Sequence, residues 1–282
     1  MLIDTHVHLI DLARLSYPWL ADVESLNRDA SHADYTRRAR QLGITGALHM
    51  EVDVREDQME AETAMIAELM QRSDSVLLGA IAACRPESSD FAAYLERQLD
   101  TPHVKGLRRI LHTSPDELSQ STLFRQNIAR LSGSRLPFDV CVDNRQLPLA
   151  IELVDECPDV QFVLDHCGVP NVKDHALQPW ATHIADLARR PNVAAKISGV
   201  IAYGDGHNWS VDDIRPFVEQ VIDAFGFRRV VWGSDSPVCT LGGPLASWVA
   251  ALHTLLQSAS PSEKSALFNE NATRIWGLAA EA

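Results

Sequence analysis

Long apolar runs are missing from this sequence. No stretch reaches the eighteen or so uninterrupted apolar residues of a membrane-spanning helix, so a helical membrane protein is excluded. Basic residues are scarce: 25 lysines and arginines face 38 aspartates and glutamates, a net charge of −13. A surface of that sign repels nucleic acid and anionic lipid, and neither is expected as a partner. The five cysteines are odd in number, scattered, and form no C-x-x-C pair. That speaks against a disulfide framework and for buried free thiols in a reducing compartment. No G-x-G-x-x-G follows the first apolar run and no Walker sequence occurs, which removes two nucleotide-binding signatures. Low-complexity segments, sequence repeats and interdomain linkers are absent as well. The N-terminus carries Asp4, His6, His8 and Asp11 where a secretory leader needs apolar residues, so a cytoplasmic location is expected.

The chain does have ample apolar material, 46% of 282 residues, enough for a large core. Short apolar runs alternate with longer amphipathic ones. Candidate strands cover residues 2–8, 44–52, 76–83, 104–110, 138–142, 160–166, 193–198 and 230–235. They are rich in Val, Ile and Leu without strict alternation, as parallel strands covered on both faces are. Residues 56–71 predict a helix with Met59, Ile66, Leu69 and Met70 on one stripe. Residues 146–156 and 180–190 read similarly and are stopped by Pro158 and Pro191. Ser260 and Glu263 have the spacing of a capping box, with Pro261 first in a last helix running to about Ile275. Eight strand–helix units predict a single (β/α)8 TIM barrel domain over residues 1–282. A doubly wound open sheet is the alternative.

Two short clusters stand at opposite ends of the chain: Asp4-Thr5-His6-Val7-His8, and Gly233-Ser234-Asp235-Ser236-Pro237. Side chains two apart on a strand share a face, roughly 6–7 Å apart, so His6 and His8 point to one place. If the first and last strands of a closed sheet are neighbours, Asp235 joins them. Two imidazoles and a carboxylate can bind a metal or activate a water. Barrel enzymes gather such groups at the C-terminal strand ends. There the sequence offers His49 and Glu51, Arg108 and Arg109, Asp143 to Arg145, Asp165 and His166, Lys196 and Ser198. Several have ordinary readings. His49 is read as a hydrogen-bonded core residue, and Asp165, beside His166, as facing outward. Alternation sends one of Arg108 and Arg109 inward. Lys196 and Ser198 share a face and suit a structural hydrogen bond as well as a substrate contact. Residues 11–31, with Tyr17, Pro18, Trp19 and Leu20, are expected to fold over the barrel mouth, and residues 205–210 to form a second mouth loop.

Taken together the motifs resemble the amidohydrolase superfamily and, within it, the amidohydrolase-2 branch. They are the D-x-H-x-H, the late G-S-D-x-P and the closing Asn271-Ala272-Thr273-Arg274-Ile275-Trp276-Gly277-Leu278. Tyr17-Pro18-Trp19-Leu20, Lys105-Gly106-Leu107-Arg108-Arg109, Arg145-Gln146-Leu147-Pro148, Val163-Leu164-Asp165-His166 and Ala195-Lys196-Ile197-Ser198-Gly199 are similar to the sugar-lactonase group, which includes fuconolactonase-like and pyrone-dicarboxylate-lactonase-like enzymes. One departure is Ser236, where relatives commonly carry tryptophan, and it bears on the substrate more than on the reaction.

The resemblance implies water attack on a small lactone. Asp235 would be the base, and His6, His8 and His166 would polarise the carbonyl. Arg108 would hold the substrate, with Arg109, Arg145, Lys196 and Trp19 as further candidate contacts. The same His6, His8, His166 and Asp235 could bind one zinc or manganese ion. No lysine ends strand four or five to bridge two metals, and the expectation leans to no catalytic metal requirement. The resemblance also leaves two rivals, a metal-dependent decarboxylase of the same branch and a non-catalytic ligand-binding barrel. The expected partner is a small-molecule lactone, and a homo-oligomer is left open.

Overall fold

Each predicted apolar run becomes a strand of one parallel sheet in the computed structural model, which describes residues 1–278. Residues 279–282 of the expected domain lie outside the described residues. The strands are β1 (Leu2–Val7), β2 (Ile44–Met50), β3 (Leu77–Ala83), β4 (Val104–Ile110), β5 (Phe138–Cys141), β6 (Phe162–Leu164), β7 (Val193–Ile197) and β8 (Val230–Trp232). They pair in chain order, and each parallel crossover passes through helix on the outside. The helices are α1 (His32–Gln41), α2 (Met59–Met70), α3 (Phe91–Leu99), α4 (Glu117–Gln120), α5 (Thr122–Ala129), α6 (Leu147–Glu156), α7 (Trp180–Leu187), α8 (Val211–Phe225), α9 (Leu245–Leu255), α10 (Pro261–Ser265) and α11 (Asn271–Trp276). The result is a (β/α)8 barrel. No helix among the described residues is long and apolar enough to cross a membrane.

The ring closes beyond the end of β8. Asp235 N–H donates to His6 O at 2.8 Å and His8 N–H to Ser236 O at 2.7 Å, with a parallel bridge between Val7 and Ser236. Thus the residues that complete the sheet are those of the two clusters. β6 and β8 end earlier than predicted because the chain leaves extended geometry there. His166, Cys167 and Val169 have φ of 52°, 55° and 46°, and Asp235 has φ of 57°. Side chains in this left-handed region are uncommon and cost free energy, and they cluster at functional sites.

The barrel interior is layered. At its N-terminal end Ile3, Leu48, Ile81, Val163, Ala194 and Val231 pack with Trp276 of α11 in an apolar plug. The Lys196 ammonium lies 5.5 Å above the Trp276 ring, which begins a charged layer. The imidazoles lie above that. Between strands and helices a larger apolar core runs round the barrel. The Ser260–Glu263 capping box forms as predicted. The last helix is not continuous, however. A π turn at Ala266–Glu270 separates α10 from α11, and the Asn271 amide donates to Phe227 O and Val230 O at 2.7 and 2.8 Å. All five cysteines are free and buried.

Candidate active site

Asp4 anchors the site from below. Its Oδ1 accepts from the backbone N–H of His6 at 3.1 Å and of Ser234 at 2.7 Å, and its Oδ2 accepts from the Tyr35 hydroxyl at 2.6 Å. One buried carboxylate thereby fixes both clusters against each other. Above it His6 Nε2 and His8 Nε2 stand 3.2 Å apart. Asp235 Oδ1 lies 3.3 Å from His8 Nε2 and 3.7 Å from His6 Nε2. His166 joins from β6, its Nδ1 3.9 Å from Asp235 Oδ2 and its ring 4.5 Å from that of His6. The structure therefore brings His6, His8, His166 and Asp235 into one group at the C-terminal end of the barrel.

A hydrogen bond fixes one of the ring tautomers. His8 Nδ1 is 3.0 Å from Met50 O, a carbonyl that only accepts, so Nδ1 carries the proton and Nε2 is bare when the ring is neutral. Ser198 Oγ accepts from the His166 backbone N–H at 3.3 Å and is hydrogen-bonded to His166 Nδ1 at 2.9 Å, which fixes the orientation of the ring. Both rings are neutral near pH 7: burial pushes His8 down to about 3 and His166 down to about 4. His6 is also held well below its usual range, by burial first and then by the charge of Lys196. Burial acts oppositely on Asp235, pushed up to about 6. Its Oδ2 is buried with no hydrogen-bond partner. A carboxylate near 6 with a free oxygen is poised as a general base.

Arg108 points inward: Nε bonds Glu51 Oε1 and Nη2 bonds Glu51 O, both at 2.7 Å, and Nη1 is 3.4 Å from Asp165 Oδ2. Arg109 points away from it to Glu87. Asp165 does not face outward. It is fully buried, 2.8 Å from Lys196 Nζ and 3.5 Å from His6 Nδ1. The alternation rule failed because β6 stops at Leu164 and a tight turn begins at Asp165. Lys196, a candidate substrate contact, is likewise fully buried, and Asp139 at 2.6 Å and Asp165 take its charge, so it lies beneath the site. Arg145 is 61% exposed and paired with Asp116, outside the buried group. Trp19 covers the β2 side, its Nε1 donating to Val52 O at 2.8 Å. His49 is a core residue, 3.4 Å from Glu62.

Sequence reasoning passed over Tyr203, whose ring centroid is 6.2 Å from that of His166, and Asp139. Gly199 makes this packing feasible: at φ +69° any Cβ would sit 2.7 Å from His166 Nδ1 and 3.0 Å from Tyr203 Cε2. A surface depression of about 790 Å³ lies at the other end of the barrel, between Gln161, Arg229 and Arg274. None of the grouped residues lines it.

One divalent ion suits the upper donors. His6, His8 and Asp235 offer three ligand atoms within mutual reach, and His8 Nε2 and Asp235 Oδ2 have lone pairs to give. His166 also forms a group with His6 and Asp165.

Fold and site together define a barrel hydrolase with an imidazole–carboxylate centre. The chain belongs to the amidohydrolase family, whose model matches residues 3–278. It is 28% identical over 296 residues to an uncharacterised protein of Sinorhizobium fredii, covering 98% of each chain. It is 28% identical over 293 residues to an L-fucono-1,5-lactonase of Burkholderia multivorans, covering 98% of this chain and 96% of that one. A crystal structure of an amidohydrolase from Burkholderia multivorans with bound zinc superposes with a TM-score of 0.89 at 26% identity, covering 99% of this chain and all of the other.

Proposed function

We propose that this protein hydrolyses a small lactone, of the sugar or carboxylated type, to the open hydroxy acid. The observation that carries the reading is Asp235: a buried carboxylate raised to about 6, with one oxygen unpartnered and two neutral imidazoles beside the other. The likeness to an L-fucono-1,5-lactonase supports the substrate class. Asp235 takes a proton from water as the water oxygen bonds to the lactone carbonyl carbon. His8 Nε2, bare because Nδ1 is spent on Met50 O, accepts from that water and holds it, rather than polarising the carbonyl. His166 Nε2–H donates to the oxyanion. The ring C–O bond then breaks, and the Asp235 proton passes to the departing oxygen.

Arg108 borders this space as a fixed cation for a hydroxyl or carboxylate of the substrate. A zinc or manganese ion, where bound, would be held by His6, His8 and Asp235 and would supply Lewis acidity to carbonyl and water. The test is a pH-indicator screen of aldonic and dicarboxylic lactones, each run with and without chelator. Acid release from one lactone series supports the reading, and the chelator arm reports the metal dependence. Carbon dioxide release from aromatic acids would replace it with decarboxylation, and tight binding without turnover with a ligand-binding barrel.

A further inference from the structure

Three polar atoms at the barrel mouth have no partner among the described residues. Asp235 Oδ2 is buried without one. His166 is bonded to Ser198 through its backbone N–H and Nδ1, which leaves its Nε2 free. The third is the Tyr203 hydroxyl, at the end of a half-buried ring that packs on the core. A tyrosine hydroxyl taken out of water ordinarily meets a hydrogen-bond partner. The lactone chemistry above employs the first two atoms and leaves the third idle.

The seat of Tyr203 is built rather than loose. The residue ends a short turn, Val200–Tyr203, that follows β7 and is entered at Gly199. Gly199 brings the turn down onto His166, and the Tyr203 ring stands edge-on to the His166 ring at an interplanar angle of 72°. A second glycine clamps the turn from the side: a Cβ at Gly242 would run into Ile201 O. Trp209 Nε1 donates to Gly242 O at 2.6 Å and ties the far end of the same loop to it. A side chain on so fixed a support keeps its aim. Its aim is inward. Burial, then the charge of Asp235, hold the hydroxyl well above its usual range, followed by Cys141, Asp165 and Arg108. Those groups come from four different sides of the barrel, so the hydroxyl overhangs the axis instead of facing out.

We infer that Tyr203 is a specificity-determining residue whose hydroxyl bonds an alcohol on the ring carbon next to the lactone carbonyl. The Tyr203 ring is the neighbour of the His166 ring, so it meets the substrate atom next to the one that His166 meets. A phenol hydroxyl both donates and accepts, which matches an alcohol and not a methylene. The assignment rests on the proposed lactone hydrolysis and adds to it what the substrate carries beside the reacting carbonyl. A site built to hydrogen-bond a substrate hydroxyl rejects the analogue lacking it, because its own polar group is then left unpaired.

The test compares wild type with Tyr203→Phe, which keeps the ring and its packing on His166. Each is run in a pH-stat on an aldonic lactone and on its 2-deoxy counterpart. In wild type kcat/KM is expected to favour the hydroxylated lactone about 5- to 30-fold, and in Tyr203→Phe that ratio is expected to shrink to near one. A merely structural role would lower both rates alike and leave the ratio where it was. A ratio unchanged by the substitution, or a wild type indifferent to the hydroxyl, overturns the assignment while lactone turnover stands. A wild type inert on every lactone overturns the lactone reading and this assignment with it, so wild-type activity tells the two failures apart.

Discussion

Replacing Asp235 by asparagine keeps the shape of the side chain and removes the group assigned to take a proton from water. Burial raises this carboxyl to about 6. At pH 5 roughly a tenth of the sites are then ionised, and above pH 7 nearly all, so wild-type kcat/KM rises about tenfold across that range and levels off. The variant loses the base, about 10²- to 10⁴-fold in rate, or ~3–5 kcal/mol of barrier, and with it the limb near pH 6. Stability moves the other way. A carboxyl whose folded pKa lies above its unfolded value near 3.8 stabilises the fold fully below pH 4, and that contribution fades as pH rises through 6. At pH 8 the buried charge costs the native state on the order of 3 kcal/mol, which asparagine removes. Asp235→Asn is therefore expected to melt no lower than wild type at pH 8 while turning over far more slowly. Initial rates in a pH-stat, with a thermal melt on the same samples, check both. A variant with full turnover, or one that keeps the limb near pH 6, refutes the assignment.

Arg108→Met leaves the Glu51 carboxylate buried without its partner. It should destabilise by about 3–5 kcal/mol and lower the melting temperature by on the order of 10 °C in calorimetry. Tyr35→Phe removes the 2.6 Å bond to Asp4 Oδ2, and chemical denaturation should show a loss of about 1.5–3 kcal/mol. Gly199→Ala places a methyl against His166 Nδ1, so kcat should fall at least about tenfold, with a folding cost near 1–2 kcal/mol. Native protein should leave a thiol reagent nearly unconsumed until denatured, since its five cysteines are buried and free.

The strands were legible because eight separate apolar runs each had to be covered on both faces, and their starts lie close to where periodicity put them. Their ends were less so. Nothing local in residues 160–166 announces that β6 breaks after Leu164, and Asp165 was misplaced for that reason. The His6–His8 pair followed from strand geometry alone, and Asp235 from closure of a ring. The charged layer was not readable. Lys196, Asp139 and Asp165 belong to three different apolar runs, and only the closed barrel shows that they satisfy one another. The Tyr35–Asp4 bond spans 31 positions between a helix and a strand, which no spacing rule encodes.

Because the seam is stitched by His6, His8, Asp235 and Ser236 themselves, the polypeptide holds no reactive centre until both ends of that seam have been synthesised. The ribosome must pass residue 236, and that segment must leave the exit tunnel, before His6 and His8 have anything to meet. A nascent chain halted earlier stays inert towards substrate however much of its helix and sheet has formed.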